Sequence, residues 1–176
     1  VAVPERAESG LRVVKPVRGC GAQGVRITGD PPGEHEFAQR YTEGERLSAS
    51  PVGSMNAGEA CLYYSGRPPL VLAINRQLRE VRGGEFHYLG GETPVEHGRN
   101  EEILAVAEKT VTVLGCQGYT GVDVVLGDRV YVVDVNPRIT TSILGIGAVM
   151  EEEIAGVLVD ASHGRGPDQV HLRGHA

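Results

Sequence analysis

The sequence contains few cysteines, the residues that form the disulfide bonds of small secreted domains and that bind metals through sulfur. Its three cysteines, Cys20, Cys61 and Cys116, form no C-x-x-C pair, and an odd number argues against a disulfide framework. We therefore expect reduced thiols, a cytoplasmic location and no structural zinc. Tryptophan is absent and phenylalanine occurs twice, so the core must consist mainly of Val, Leu, Ile and Ala.

The sequence also lacks an excess of positive charge and any long apolar run. Seventeen Lys and Arg stand against 23 Asp and Glu, and the net charge of −6 argues against a nucleic-acid-binding surface. The apolar runs are too short to span a bilayer and no signal-peptide pattern is present, so we expect no membrane partner. A length of 176 residues suits one domain or two small lobes with a shared core.

Residue patterns predict short strands early in the chain and helices late. The predicted strands cover residues 11–17, 25–28, 47–52, 60–64 and 70–74. Residues 34–39 are predicted to form a short helix, and the glycine-rich residues 76–99 an irregular region. Residues 101–114 predict an amphipathic helix with Asn100 as its N-cap, and residues 143–160 predict a second, mostly apolar helix.

The most informative stretch is residues 121–138, where two valine-rich runs flank Gly127-Asp128. Glycine at the first central position is typical of a type II′ turn, so this stretch predicts a β-hairpin. A two-residue turn pairs Leu126 with Arg129. Asp123 then lies opposite Val132.

Alternation along this hairpin predicts one polar face and one apolar face. Asp123, Asp134 and Asn136 share the polar face, with Asp134 one diagonal step from Asp123. Two carboxylates and an amide oxygen are hard ligands that suit Mg²⁺, whose remaining ligands are usually waters and substrate phosphates. The alternative is a hairpin whose two Asp residues simply face water. The predicted apolar face consists of Val122, Val124, Leu126, Tyr131, Val133 and Val135.

A glycine-rich loop near the start of the chain contains Gly19, Gly21 and Gly24 in a G-x-G-x-x-G arrangement. The dinucleotide fingerprint requires a helix after the loop, but a β-branched segment and Pro31-Pro32 follow here. A strand, a glycine loop and a second strand instead predict a flap whose backbone N–H groups bind phosphates. Lys15 precedes the loop and is close enough to reach the same phosphates. An ordinary surface lysine and a flexible turn are the alternatives.

These features occur in an order that resembles the ATP-grasp superfamily. The resemblance rests on Lys15 with its glycine loop, on residues 39–45, and on the hairpin ending Asp134-Val135-Asn136-Pro137-Arg138, and it covers most of residues 11–145. Within the superfamily, residues 72–77 and the glycine loop resemble small archaeal carboxylate–amine ligases of the tyramine–glutamate ligase kind.

The resemblance implies an α+β ATP-grasp fold in which two lobes with mainly antiparallel sheets grip ATP. Residues 1–42 would be a remnant of the small lobe with its flap, and residues 43–176 the large lobe with the metal-binding hairpin. The chain begins at Val1 without Met, and the N-terminal pre-grasp domain of such enzymes is expected to be missing. This chain alone need therefore not be active.

The resemblance also implies which residues contact the nucleotide. Lys15 would contact the ATP phosphates, and Glu43 or Glu45 would bond the ribose hydroxyls. The flap would be formed by Gly19, Gly21 and Gly24. The adenine would be lined, largely through backbone groups, by Gln39, Arg40 and Tyr41.

A metal and a catalytic arginine complete the implied site. Asp123, Asp134 and Asn136 would hold Mg²⁺, with Mn²⁺ as an alternative cation. Arg138 would stabilise charge on the transferred phosphoryl group or on the tetrahedral intermediate, and Arg76 would assist it. The middle metal ligand is usually Glu in this superfamily, so Asp134 brings the metal closer to the strand or binds it through one oxygen.

The implied reaction joins two small molecules at the expense of ATP. A carboxylate would be activated as an acyl phosphate and passed to an amine, with release of ADP and phosphate. The alternatives are a non-catalytic nucleotide-binding module and a small-molecule kinase. Exposed strand edges favour self-association, so a homodimer is one expected form. The identities of the carboxylate and the amine stay open.

Overall fold

A computed structural model describes residues 10–19, 22–53 and 69–176 of the protein, with the backbone alone for residues 45–53. Within these residues the chain forms nine strands and three helices. The strands are β1 (Arg12–Pro16), β2 (Arg26–Thr28), β3 (Glu36–Arg40), β4 (Glu45–Gly53), β5 (Leu70–Arg82), β6 (Glu85–Glu92), β7 (Gly118–Tyr119), β8 (Gly121–Leu126) and β9 (Val130–Asn136). The helices are α1 (Asn100–Leu114), α2 (Ser142–Val149) and α3 (Ile154–Ser162).

All of these strands belong to one antiparallel sheet. Their order is β3-β1-β2-β6-β5-β4-β8-β9, and β7 pairs with β4 outside this path. Antiparallel pairing throughout, together with the three helices, gives the α+β class that the resemblance implies. None of the described helices is long and apolar enough to cross a membrane.

The main core lies between α1 and the hairpin formed by β8 and β9. It includes Ile103, Ala107 and Val111 of the helix, all at most 1% exposed. The helix ends as predicted, because Gly115 adopts a left-handed conformation with φ of 65° and donates its N–H to Thr112 O. Its N-cap is Arg99 rather than the predicted Asn100. The strand side of this core is formed mainly by Val122, Val124, Leu126, Val130 and Val132.

Two early predictions about secondary structure are wrong. Residues 36–40 form β3, not a helix, because they pair along the whole of β1. The region 76–99 is not irregular, since β5 continues to Arg82 and turns back into β6. Gly83 and Gly84 both have positive φ, 59° and 85°, as a tight hairpin turn requires. The predicted strand at residues 60–64 lies outside the described residues.

The predicted second helix is interrupted after Val149. Met150 is extended, with φ of −73° and ψ of 138°, and α3 begins after Glu153. The Glu153 carboxylate accepts hydrogen bonds from Ala155 N and Gly156 N, which caps α3. Met150 pairs with Leu172, so the C-terminal segment lies against the break between the two helices.

Candidate active site

The β8–β9 hairpin brings two carboxylates into direct opposition. Asp123 pairs with Asp134, and a β-bulge leaves Val133 as an extra residue on β9. The predicted register was wrong, because Leu126 pairs with Val130 across a three-residue loop. Directly opposed residues have Cβ atoms roughly 4.5–5.5 Å apart, so the two carboxylates are closer than the predicted diagonal pair.

The corrected register also changes which side chains enter the core. Val130 and Val132 are buried against α1, whereas Tyr131 and Val133, predicted on the apolar face, are not part of that core. The Tyr131 hydroxyl donates to Asp128 Oδ1 at 2.9 Å, and Val133 lines a cavity on the opposite side of the hairpin. Val122, Val124 and Leu126 face the core as predicted, and Val135 packs against it.

The first turn of α1 fixes the hairpin loop. Arg99 donates to Gly127 O at 2.8 Å and forms a two-contact ion pair with Glu102. Glu102 in turn accepts the N–H of Val130 at 3.2 Å. These contacts hold the loop against the helix, so the two strands that carry the carboxylates have a fixed position on the core.

A cavity of about 670 Å³ lies on the carboxylate side of this hairpin. From the first strands it is lined by Lys15, Gly19, Gln39, Arg40 and Tyr41, all of them predicted site residues. From the hairpin and the chain beyond it, the lining residues are Asp123, Asp134, Asn136 and Arg138. The structure thus brings most of the predicted nucleotide, metal and catalytic residues around one space.

Two of the predicted residues that the structure describes are not among those lining the cavity. Gly24, with φ of 70°, and the exposed Glu43 are described and lie outside the lining. Gly21 and the side chain of Glu45 fall outside the described part of the chain. The choice between Glu43 and Glu45 as the ribose ligand therefore stays a prediction.

Lys15 links the first strands to the hairpin. Its Nζ donates to Val133 O at 2.7 Å, using the carbonyl of the extra residue in the bulge. The ammonium also lies 6.0 Å from the centre of the Phe37 ring. Burial lowers the pKa of Lys15, and the negative charges of Asp134 and Asp123 oppose that shift.

Asp123 is held from the side by β5. Gln77 Nε2 donates to Asp123 Oδ1 at 2.8 Å, and Arg79 Nη2 lies 3.7 Å from Asp123 Oδ2. Burial raises the pKa of Asp123 to about 6; Arg79 opposes the shift, as does the Gln77 hydrogen bond, while Asp134 adds to it. The carboxylate is therefore largely ionised at neutral pH.

Gln77 and Arg79 were missed as site residues because their region was predicted to be irregular. A signal was available in the sequence. Asn75, Gln77 and Arg79 are polar at every second position, which is the period of a strand with one polar face. All three line the cavity.

Asn136 connects the carboxylates to the arginine at the end of the hairpin. Its Nδ2 lies 3.5 Å from Asp134 Oδ2, and its Oδ1 accepts a hydrogen bond from Arg138 Nη2 at 3.2 Å. Arg138 also donates to Ile139 O at 3.1 Å. Arg76 lies at the same cavity and forms an ion pair with Glu92 at 2.7 Å.

The donors at the hairpin fit a hard divalent cation. Two opposed carboxylates and a neighbouring amide provide oxygen ligands, the chemistry that Mg²⁺ prefers. In the described part of the chain, no group of three or more His, Cys, Asp or Glu side chains is arranged to hold a metal. A metal at this hairpin would therefore depend on Asn136 and on ligands from the substrate.

Comparison with known protein families shows the family to which this chain belongs. The family described as the ATP-grasp domain matches residues 3–142. The chain belongs to the ATP-grasp family. Two tyramine–L-glutamate ligases are similar in sequence to this ATP-grasp chain, one from Methanocaldococcus fervens and one from Methanocaldococcus jannaschii. The first is 32% identical over 160 residues, and the second 32% identical over 136 residues.

The shared regions cover 90% and 76% of this chain but 47% and 37% of these relatives. The chain thus spans half or less of their length. A solved ATP-grasp superfamily protein from Archaeoglobus fulgidus has the same fold, with a TM-score of 0.68 and 25% sequence identity. That similarity covers 97% of this chain and 50% of the solved one. The predicted ATP-grasp fold is confirmed.

Proposed function

We propose that this ATP-grasp chain is the ATP-binding part of an ATP-dependent carboxylate–amine ligase that acts through an acyl phosphate. The observation that carries the proposal is the direct opposition of Asp123 and Asp134 in the cavity that Lys15 and Arg138 also line. The relatives named tyramine–L-glutamate ligase support the formation of a C–N bond rather than phosphoryl transfer alone.

In this proposal the cavity holds ATP between the two predicted lobes, residues 1–42 and 43–176. Gln39, Arg40 and Tyr41 lie beside the adenine, and Glu43 or Glu45 bonds the ribose. The loop with Gly19, Gly21 and Gly24 covers the phosphates through its backbone N–H groups. Lys15 can then turn its ammonium from Val133 O to a phosphate oxygen, since both are hydrogen-bond acceptors.

Asp123, Asp134 and Asn136 would hold Mg²⁺, with Mn²⁺ as an alternative. When bound, the cation supplies charge neutralisation on the phosphates. Gln77 keeps the Asp123 carboxylate in place through its hydrogen bond to Oδ1. Arg138 extends from the end of the hairpin toward the transferred group, and its two hydrogen bonds to Asn136 and Ile139 limit its motion.

The proposed reaction has two steps. An oxygen of the carboxylate substrate attacks the γ-phosphorus of ATP, and ADP leaves. The amine nitrogen then attacks the acyl carbon, and phosphate leaves. Positioning and electrostatic stabilisation supply most of the catalysis in such phosphoryl transfers. Exclusion of water by the glycine flap would protect the acyl phosphate from hydrolysis.

Release of ADP tests this function. The relatives' names suggest L-glutamate as the first carboxylate to try and tyramine as the first amine. The ligase proposal predicts that ADP release with ATP and Mg²⁺ requires both compounds. Release with a phosphate acceptor and no amine would favour a kinase. Binding of ATP without any release would favour a non-catalytic module, and the predicted homodimer can be checked in the same preparation by light scattering.

A further inference from the structure

An arginine on β5 accompanies the two opposed carboxylates in the cavity. Arg79 Nη2 lies 3.7 Å from Asp123 Oδ2 and donates a hydrogen bond to Gln77 Oε1. Gln77 in turn donates to Asp123 Oδ1 at 2.8 Å. The three side chains form a closed ring of contacts, so the guanidinium has a fixed position beside the carboxylate. The Arg79 side chain is 24% exposed and lines the cavity.

The charges around the carboxylates balance before any metal binds. Asp123 and Asp134 contribute two negative charges, and Lys15 and Arg79 contribute two positive charges. Two carboxylates that oppose each other without nearby cations would repel strongly. The negative charge of the two carboxylates is therefore compensated from two sides, by Lys15 on β1 and by Arg79 on β5.

Two details argue against a purely structural ion pair. The distance of 3.7 Å between Arg79 and Asp123 is longer than a hydrogen bond, so the contact acts through charge. Arg79 Nε is buried and has no hydrogen-bond partner among the residues that the structure describes, which is costly and unusual for a side chain that only ties two strands together. The strands β5 and β8 are in any case both paired with β4, over residues 70–76 of β5 and residues 122–126 of β8.

We propose that Arg79 is a nucleotide-binding residue that supplies, together with Lys15, the positive charge that lets the polyphosphate enter the carboxylate-lined cavity before Mg²⁺ does. This inference rests on the proposed function, since it requires ATP to bind in this cavity. It predicts that Arg79 matters most when no metal is present. ATP then carries its full negative charge, and Arg79 provides a positive charge beside Asp123 on the β5 side.

The test is a calorimetric titration of the 176-residue chain with ATP, once in EDTA and once with Mg²⁺. Arg79→Gln should weaken metal-free ATP binding by about tenfold or more, because one charge within a few ångströms is lost. Binding with Mg²⁺ should change by less than about threefold, because the cation compensates the carboxylates. The dissociation constant of ATP in EDTA, divided by that in Mg²⁺, should therefore be larger for the variant than for the original chain.

Two further variants separate charge from structure. Arg79→Lys keeps the charge and should bind metal-free ATP within about threefold of the original chain. Arg82→Gln is the matched control on the same strand, since Arg82 is exposed and pairs with Glu80 outside the cavity. Arg82→Gln should leave the dissociation constant of ATP unchanged both in EDTA and in Mg²⁺. Thermal unfolding of each variant establishes that it is folded.

The outcomes distinguish this inference from the proposed function. An equal loss of affinity with and without Mg²⁺ in Arg79→Gln would assign a structural role to Arg79 and overturn the inference alone. If Arg79→Gln does not fold, a tenfold loss of metal-free affinity in a folded Arg79→Lys variant would overturn it as well. A chain that binds no ATP under either condition would overturn the proposed function and this inference together.

Discussion

Asp123 and Asp134 have different surroundings although they face each other across the hairpin. The Asp123 side chain is 16% exposed and contacts Gln77 and Arg79, whereas Asp134 is exposed to the cavity. Burial raises the pKa of Asp123 to about 6, against an ordinary value of 3.8. The folded chain therefore holds this carboxylate in its ionised form at a cost in stability.

The first prediction concerns that cost. A carboxyl group whose pKa is raised by folding favours the native state below its ordinary pKa, and this contribution is lost as the pH rises through about 6. Asp123→Asn should therefore stabilise the metal-free chain at pH 8 by about 1–3 kcal/mol. The gain should shrink toward zero as the pH falls from 6 to below 4. Urea unfolding of both chains in EDTA at several pH values measures this difference in the free energy of unfolding. A difference that does not vary with pH would contradict the claim that burial raises the pKa of Asp123.

At this scale the sequence grouped three oxygen-bearing side chains that the structure places at one cavity, but it did not identify the residues that contact them. Asp123, Asp134 and Asn136 could be grouped because they alternate with valines on a clear hairpin. Gln77 and Arg79 could not, because their role depends on the pairing of β5 with β4 and of β4 with β8. Such long-range pairing leaves only a weak alternation in the sequence.

Among the elements, the β8–β9 hairpin was predictable and its register was not. Valine-rich runs around Gly127 predict two strands, but the three-residue loop and the bulge at Val133 depend on contacts with other elements. Arg99 binds the carbonyl of Gly127, and Lys15 binds the carbonyl of Val133. Both partners are distant in sequence, so local patterns could not have placed the opposed carboxylates.

Gly44 permits β4 to pair beside the end of β8. Its φ is +152°, and a Cβ at this position would lie 2.1 Å from Leu126 O. Leu126 O is a backbone atom, so relieving this clash would require the strand itself to shift. Gly44→Ala should therefore lower the free energy of unfolding by about 3 kcal/mol. A Cβ on Gly98 would meet nothing within 4 Å, so Gly98→Ala is the matched control. Similar unfolding midpoints in urea for the two variants would refute the close approach of β4 to Leu126.

At the scale of the whole molecule, the site depends on one curved sheet that brings the first strands to the last hairpin. β1 lies near one end of the strand order and β9 at the other, yet Lys15 of β1 reaches Val133 of β9. The family could be predicted from the order of motifs, because each motif is local. The shape of the cavity could not, because it depends on how far the sheet curls.

The central claim is that the opposed carboxylates bind Mg²⁺ together with ATP, and calorimetric titration tests it most directly. ATP is titrated into the 176-residue chain with and without Mg²⁺, in the original sequence, in Asp134→Asn and in the exposed control Asp160→Asn, whose surface ion pair contributes little. Mg²⁺ should strengthen ATP binding by roughly tenfold or more in the original chain and in the control. It should strengthen binding by less than about twofold in Asp134→Asn. An undiminished effect of Mg²⁺ in Asp134→Asn would contradict the account.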